Sequence, residues 1–136
     1  MSNLGIDTAA LARLMKERDV DAPALAKMIL LDTYRVNRIM KIGTARDYTI
    51  LDIASALNAD LHDLLGYHGR LSTGQSLRLT RLEAEMTNGD LSTAAGVKGE
   101  SISGYERDVI PSLEKAHAIA KALDKSIEEV FFRTVK

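Results

Sequence analysis

The chain has no cysteine, which excludes disulfides, thiolate metal sites and cysteine nucleophiles. Aromatic residues make up only 4% of it, against 46% hydrophobic and 27% charged. That balance belongs to a soluble globular protein, with room for one ordinary domain or two very small ones. No apolar run approaches the roughly 20 residues that cross a bilayer. The opening "MSNLGIDTAA" lacks the basic start and apolar stretch of a signal peptide, so a cytoplasmic location and no membrane partner are expected. An excess of one charge is missing too. The formal net charge is −1, and any nucleic-acid binding must come from local placement of charge. Catalytic signatures are absent: there is no Gly-rich phosphate loop ending in Lys-Ser/Thr, no nucleophile elbow and no metalloprotease motif. His62, His68 and His117 do not form a ligand cluster by spacing, and helix caps and solvated faces account for the scattered acids. No enzymatic activity, metal or cofactor is expected.

What is present is a repeat. Slid along itself without gaps until Leu11 meets Leu77, the chain also brings Leu25 to Leu91, Val36 to Ile102 and Ile53 to Ile119. Leu57 and Leu61 likewise meet Leu123 and Ile127, so the register holds through both halves. Each half scans as about five short helices. The first runs roughly over Thr8–Arg18. Asp21 and Asp32 are placed to cap the second and third, with Pro23 tolerated in a first turn. A fourth covers about Thr49–Leu57. A fifth starts at Asp60, with Asp63 placed for the reciprocal bond that Ser126 and Glu129 make in the other half. No segment alternates like a strand. The expected architecture is all-α, with one domain over residues 1–66, a linker over 67–73 and a second domain over 74–136.

The stretch from Met86 to Phe132 resembles the lambda-repressor-like (Xre/Cro) helix-turn-helix family. Leu91, Gly96, Val97, Ile102, Tyr105, Glu106, Pro111 and Ser112 carry the resemblance. Gly96 stands where the turn needs positive φ, and Pro111 follows where the helix cannot continue. The first half, "DAPALAKMILLDTYRVNRIMKIG", matches more loosely. Leu30 replaces the turn glycine, and the turn is expected to be remodelled to avoid strain. The resemblance implies two tandem helix-turn-helix domains. It also implies that Arg81 pairs with Glu106, at positions where the first half has Met15 and Met40. Both partners are apolar together there, so no buried charge loses its partner.

In helix-turn-helix docking the second helix of the motif enters the major groove. With Val36 and Ile39 turned inward, the first half would present Thr33, Tyr34, Arg35, Asn37, Arg38 and Lys41. Arg suits guanine, Asn suits adenine and Lys suits phosphate. In the second half the candidate contacts are Lys98, Ser101, Ser103 and Arg107. Asn88 stands where the family often has a phosphate-binding Gln. Glu100 there faces a polyanion, and Gly99 and Gly104 bring no side chain. The first half is therefore expected to supply most base contacts.

The resemblance implies a sequence-specific regulator that binds double-stranded DNA, similar to compact phage or mobile-element repressors. A homodimer is the expected assembly. The closing helix, with Phe131 and Phe132, is its candidate interface. The alternative is an interaction protein, an antiactivator, antirepressor or antitoxin, that uses the same domains to hold another regulatory protein. Near-zero charge and Glu100 favour it, and "TYRVNRIMK" opposes it.

Overall fold

Short polar side chains start most of the helices. A computed structural model describes residues 3–136. Among these it contains ten α-helices and four strands of two or three residues. The all-α expectation holds. The chain divides into two units, Met1–Gly66 and Tyr67–Lys136.

In the first unit, β1 (Asn3–Gly5) leads to Asp7, whose carboxylate accepts from the Ala9 and Ala10 N–H groups and starts α1, Thr8–Glu17. Leu11, Leu14 and Met15 form its buried stripe. Asp21 caps α2 (Ala22–Ile29) at 2.9 Å from the Ala24 nitrogen, and Asp32 caps α3 (Thr33–Ile42) at 2.8 Å from that of Arg35. Then come β2 (Thr44–Arg46), α4 (Asp47–Ala56) and α5 (Leu61–Leu65). The antiparallel pairing of β1 with β2, Gly5 opposite Thr44, holds the segment after α3 in place. The reciprocal pair expected of Asp60 and Asp63 is incomplete, because Asp60 makes no side-chain cap bond. The Asp63 carboxylate takes the Arg13 guanidinium at 2.6 Å, which ties α5 to α1.

In the second unit, β3 (Gly69–Arg70) precedes α6 (Thr73–Glu83), α7 (Asn88–Ala95), α8 (Gly99–Glu106), α9 (Leu113–Ala122), α10 (Ile127–Phe131) and β4 (Thr134–Val135). Reciprocal capping pairs open three of the helices: Ser72 with Gln75, Thr87 with Asp90, and Ser126 with Glu129. The backbone bonds from Thr87 and Ser126 hold the Asp90 and Glu129 carboxyls below their ordinary pKa range. Leu77, Leu91, Val97, Ile102, Ile119 and Phe131 form the core, with Tyr105 half-buried against it. Residues 67–73, expected as a linker, are part of this unit. Gly69 pairs with Val135, Leu71 is buried, and Tyr67 accepts a 2.8 Å hydrogen bond from Arg78. Turn-forming composition suggested a connector; strands this short cannot show alternation, so the pairing left no sequence signal.

The sequence register that sets Leu11 on Leu77 also sets helix on helix. In that register α7, α9 and α10 begin and end where α2, α4 and α5 do, and α8 begins where α3 does. The turns correspond as well. Gly96 ends α7 at φ 67°, and Leu30 ends α2 at φ 60°. The expected remodelling does not occur; the chain keeps the left-handed turn and the leucine bears the strain. Its side chain is 90% exposed, so burial offsets nothing. Left-handed backbone costs a residue with a Cβ about 1–2 kcal/mol, partly cancelled by the unfolded-state entropy of glycine. Leu30→Gly should therefore raise stability by about 0.5–1 kcal/mol in thermal or urea unfolding.

Candidate nucleic-acid interface

Helix α3 buries one side and leaves the other in solvent. Val36 and Ile39 face inward, and Tyr34, Arg35, Asn37, Arg38 and Lys41 are exposed, as the spacing predicts. Thr33 is half-buried in the first turn. At helical spacing, Tyr34, Asn37, Arg38 and Lys41 form one outward stripe, with Arg35 on its flank. No acidic residue lies within the helix. The nearest, the capping Asp32, stands 3.7 Å from the Arg35 Nε with both side chains largely solvated, a contact of little strength. The stripe therefore presents guanidinium, amide and ammonium donors at the spacing of successive turns.

Beyond α3 the surface continues into an open cleft of about 560 Å3. Arg35, Arg38, Thr44, Arg46, Tyr48 and Thr49 line it. Arg46 donates to the Tyr48 hydroxyl at 3.4 Å. Helical spacing does not mark Arg46 and Tyr48, which lie outside the helix. The signal was "TARDYT", but only the β1–β2 pairing and the start of α4 bring it beside α3.

The corresponding face of the second unit is differently arranged. Asn88, at the start of α7, donates its amide to the Gly99 carbonyl at 3.2 Å and to the Ser103 hydroxyl at 3.0 Å. Two of the expected DNA contacts are thus bonded to each other, and they fasten α7 to α8. Gly99 makes room for this: a Cβ there would lie 2.8 Å from the Asn88 Oδ1. Lys98, Glu100 and Arg107 are exposed, and Ser101 is half-buried. The side chains left facing solvent are mixed in sign.

Behind this surface, Arg81 is 1% exposed. Its Nε lies 2.6 Å and its Nη2 3.0 Å from the two Glu106 carboxylate oxygens. A third bond, from Nη1 to the Met86 carbonyl at 2.9 Å, ties α6 to the entry of α7. The implied pair is present and bidentate. Phe131 is buried in the core, which removes it from the expected interface; the inward side of α10 needs it. Phe132 is exposed and lines an apolar cleft of about 330 Å3 with Ile110 and Leu113.

In this unit α7, a left-handed turn at Gly96 and α8 packed against α7 reproduce the two-helix arrangement of a DNA-reading motif. Residues 77–130 match the helix-turn-helix family model. That family is the lambda-repressor-like, Xre-type one, a DNA-binding regulatory family and not an enzyme family. The segment is thus a helix-turn-helix domain of the kind that DNA-binding transcription regulators carry. The match lies within the second unit and does not extend to the first. No curated protein and no solved structure shows significant similarity to the chain. Among the described residues, no helix is long and apolar enough to cross a membrane, and no three His, Asp or Glu side chains gather as metal ligands.

Proposed function

We propose that the protein is a sequence-specific transcription regulator, a repressor of phage or mobile-element type, built from two helix-turn-helix copies of which the first reads the bases. The observation that carries this reading is the outward stripe of α3, where Arg38, Asn37 and Lys41 stand exposed with no acid in the helix. The recurrence of helix bounds in one constant register supports treating the first unit as a second copy. The left-handed turn kept at Leu30 supports it too, since a chain free to relax would not hold a leucine there. On this reading Arg38 takes guanine bidentately, Asn37 takes adenine, and Lys41 and Arg35 take phosphate. The protein acts in the cytoplasm as a homodimer on an imperfect inverted repeat. The exposed Phe132, with Ile110 and Leu113, supports the placing of the dimer contact.

A second reading has its own observation. The Asn88–Ser103 bond, the outward Glu100 and the apolar cleft at Phe132 suit the second unit to holding another regulatory protein. An antiactivator, antirepressor or antitoxin would use it so. A gel shift against the DNA upstream of the protein's own coding sequence, at two salt concentrations, separates the readings. The regulator binds at nanomolar concentrations and weakens steeply with salt. Arg38→Ala costs about 1–3 kcal/mol of binding and relaxes the preference at one base pair. Binding unchanged by that substitution would contradict the assignment of α3.

A further inference from the structure

The cleft beside α3 is more than an edge of a DNA-reading surface. At about 560 Å3 it falls within the range of small-molecule sites, roughly 300–1,000 Å3. Three arginines, Arg35, Arg38 and Arg46, meet in its lining, and no carboxylate does. Three guanidiniums around one hollow give it a local positive potential that favours an anion, although the chain as a whole carries a net charge of −1. The Asp32 contact to Arg35 is long and solvated, and it cancels little of that potential. Guanidinium forks match phosphate oxygens in pairs, and three of them match a charge greater than one.

The rest of the lining is not what a bare anion needs. Ile39 and Ala45 are buried beneath it as an apolar floor. Tyr48, 53% exposed, offers a ring as one wall, and Arg46 steadies its hydroxyl. Thr44 and Thr49 add hydroxyls that can serve a sugar or a phosphate ester. The pairing of Asn3 with Arg46 and Gly5 with Thr44 fixes one side of the hollow against α3.

We propose that the cleft binds a phosphorylated small molecule carrying a planar ring, of the nucleotide class, and that its occupancy weakens DNA binding by α3. The regulatory half rests on the reading of α3 given above; the binding half does not. Arg35 and Arg38 belong to both surfaces, so a ligand that holds them withdraws two of the three basic side chains of α3.

The test uses the full chain with adenosine 5′-diphosphate as probe, and adenosine and inorganic pyrophosphate as controls, followed by calorimetry and by amide shifts in NMR. The diphosphate should move amides of α3, β2 and the first turn of α4, and should bind about tenfold or more tightly than either control. Arg46→Ala should lose about tenfold in that affinity while unfolding at an unchanged temperature. Saturating diphosphate should raise the protein concentration needed in the gel shift. If adenosine or pyrophosphate binds as well as the diphosphate, the assignment to a nucleotide falls. If Arg46→Ala weakens DNA binding and no diphosphate binds, the cleft holds backbone phosphate and the proposal is overturned. If the diphosphate binds but DNA binding is indifferent to it, the regulatory half falls alone.

Discussion

Replacing Glu106 by alanine should lower the stability of the second unit by about 3–5 kcal/mol. The size follows from burial. The Arg81 guanidinium is 1% exposed and cannot reach water without moving α6, so losing its carboxylate leaves a positive charge in a poor solvent. The hydrogen bond to the Met86 carbonyl survives but brings no counter-charge. Replacing both partners is a different experiment. Arg81→Met with Glu106→Met reproduces what the first unit has at Met15, which is buried, and at Met40, and it should recover most of the loss. Urea unfolding followed by circular dichroism measures both. A single variant within about 1 kcal/mol of the parent would mean that the pair is not what holds α8 to α6.

The second large effect concerns Gly74, which the sequence did not mark. A Cβ at this position would lie 2.5 Å from the Glu106 carbonyl oxygen and 2.7 Å from the Asp108 Oδ1. The carbonyl is backbone and cannot rotate aside. Gly74→Ala must therefore push the start of α6 away from the end of α8, at about 1–3 kcal/mol. The same movement stretches the 2.9 Å bond from the Gly74 N–H to Asp108. Gly104→Ala is the control. Its Cβ would meet the Val109 Cγ2 at 3.8 Å, ordinary contact, and the better helix former should stabilise α8 by up to about 1 kcal/mol. Thermal unfolding of the two variants should move in opposite directions; movement in the same direction would contradict the close approach of α6 and α8.

These two positions show what was legible and what was not. Arg81 and Glu106 stood out because the family resemblance named them as partners, and geometry supplied the rest. Gly74 looked like any glycine near a helix start, because its partner carbonyl, that of Glu106, ends a helix far along the chain and only the packed unit brings them together. The helices were readable from their capping aspartates and serines, which act within a single turn. The strands were not, since pairs such as Gly69 with Val135 join distant segments. At the candidate DNA face, helical periodicity sorted α3 into buried and exposed sides correctly. It could not foresee that Asn88 and Ser103 would bond to each other, or that Arg46 would join Arg35 and Arg38 across a turn. Leu30 is a milder case: side-chain sterics argued for a changed turn, and the packing of α2 against α3 overrode them.

On the proposed reading, the unit matched by the family model is not the one that reads the bases. One binding experiment tests it most directly. Two variants of the full chain, Arg35→Ala/Arg38→Ala in α3 and Lys98→Ala/Arg107→Ala at α8, are titrated against the same upstream DNA and against a scrambled duplex at one salt concentration. The α3 pair should lose about 10²-fold or more in specific affinity and most of its preference over the scrambled duplex. The α8 pair should lose less, and equally on both duplexes, as phosphate contacts do. Specificity that survives in the α3 variant and collapses in the α8 variant would contradict the account.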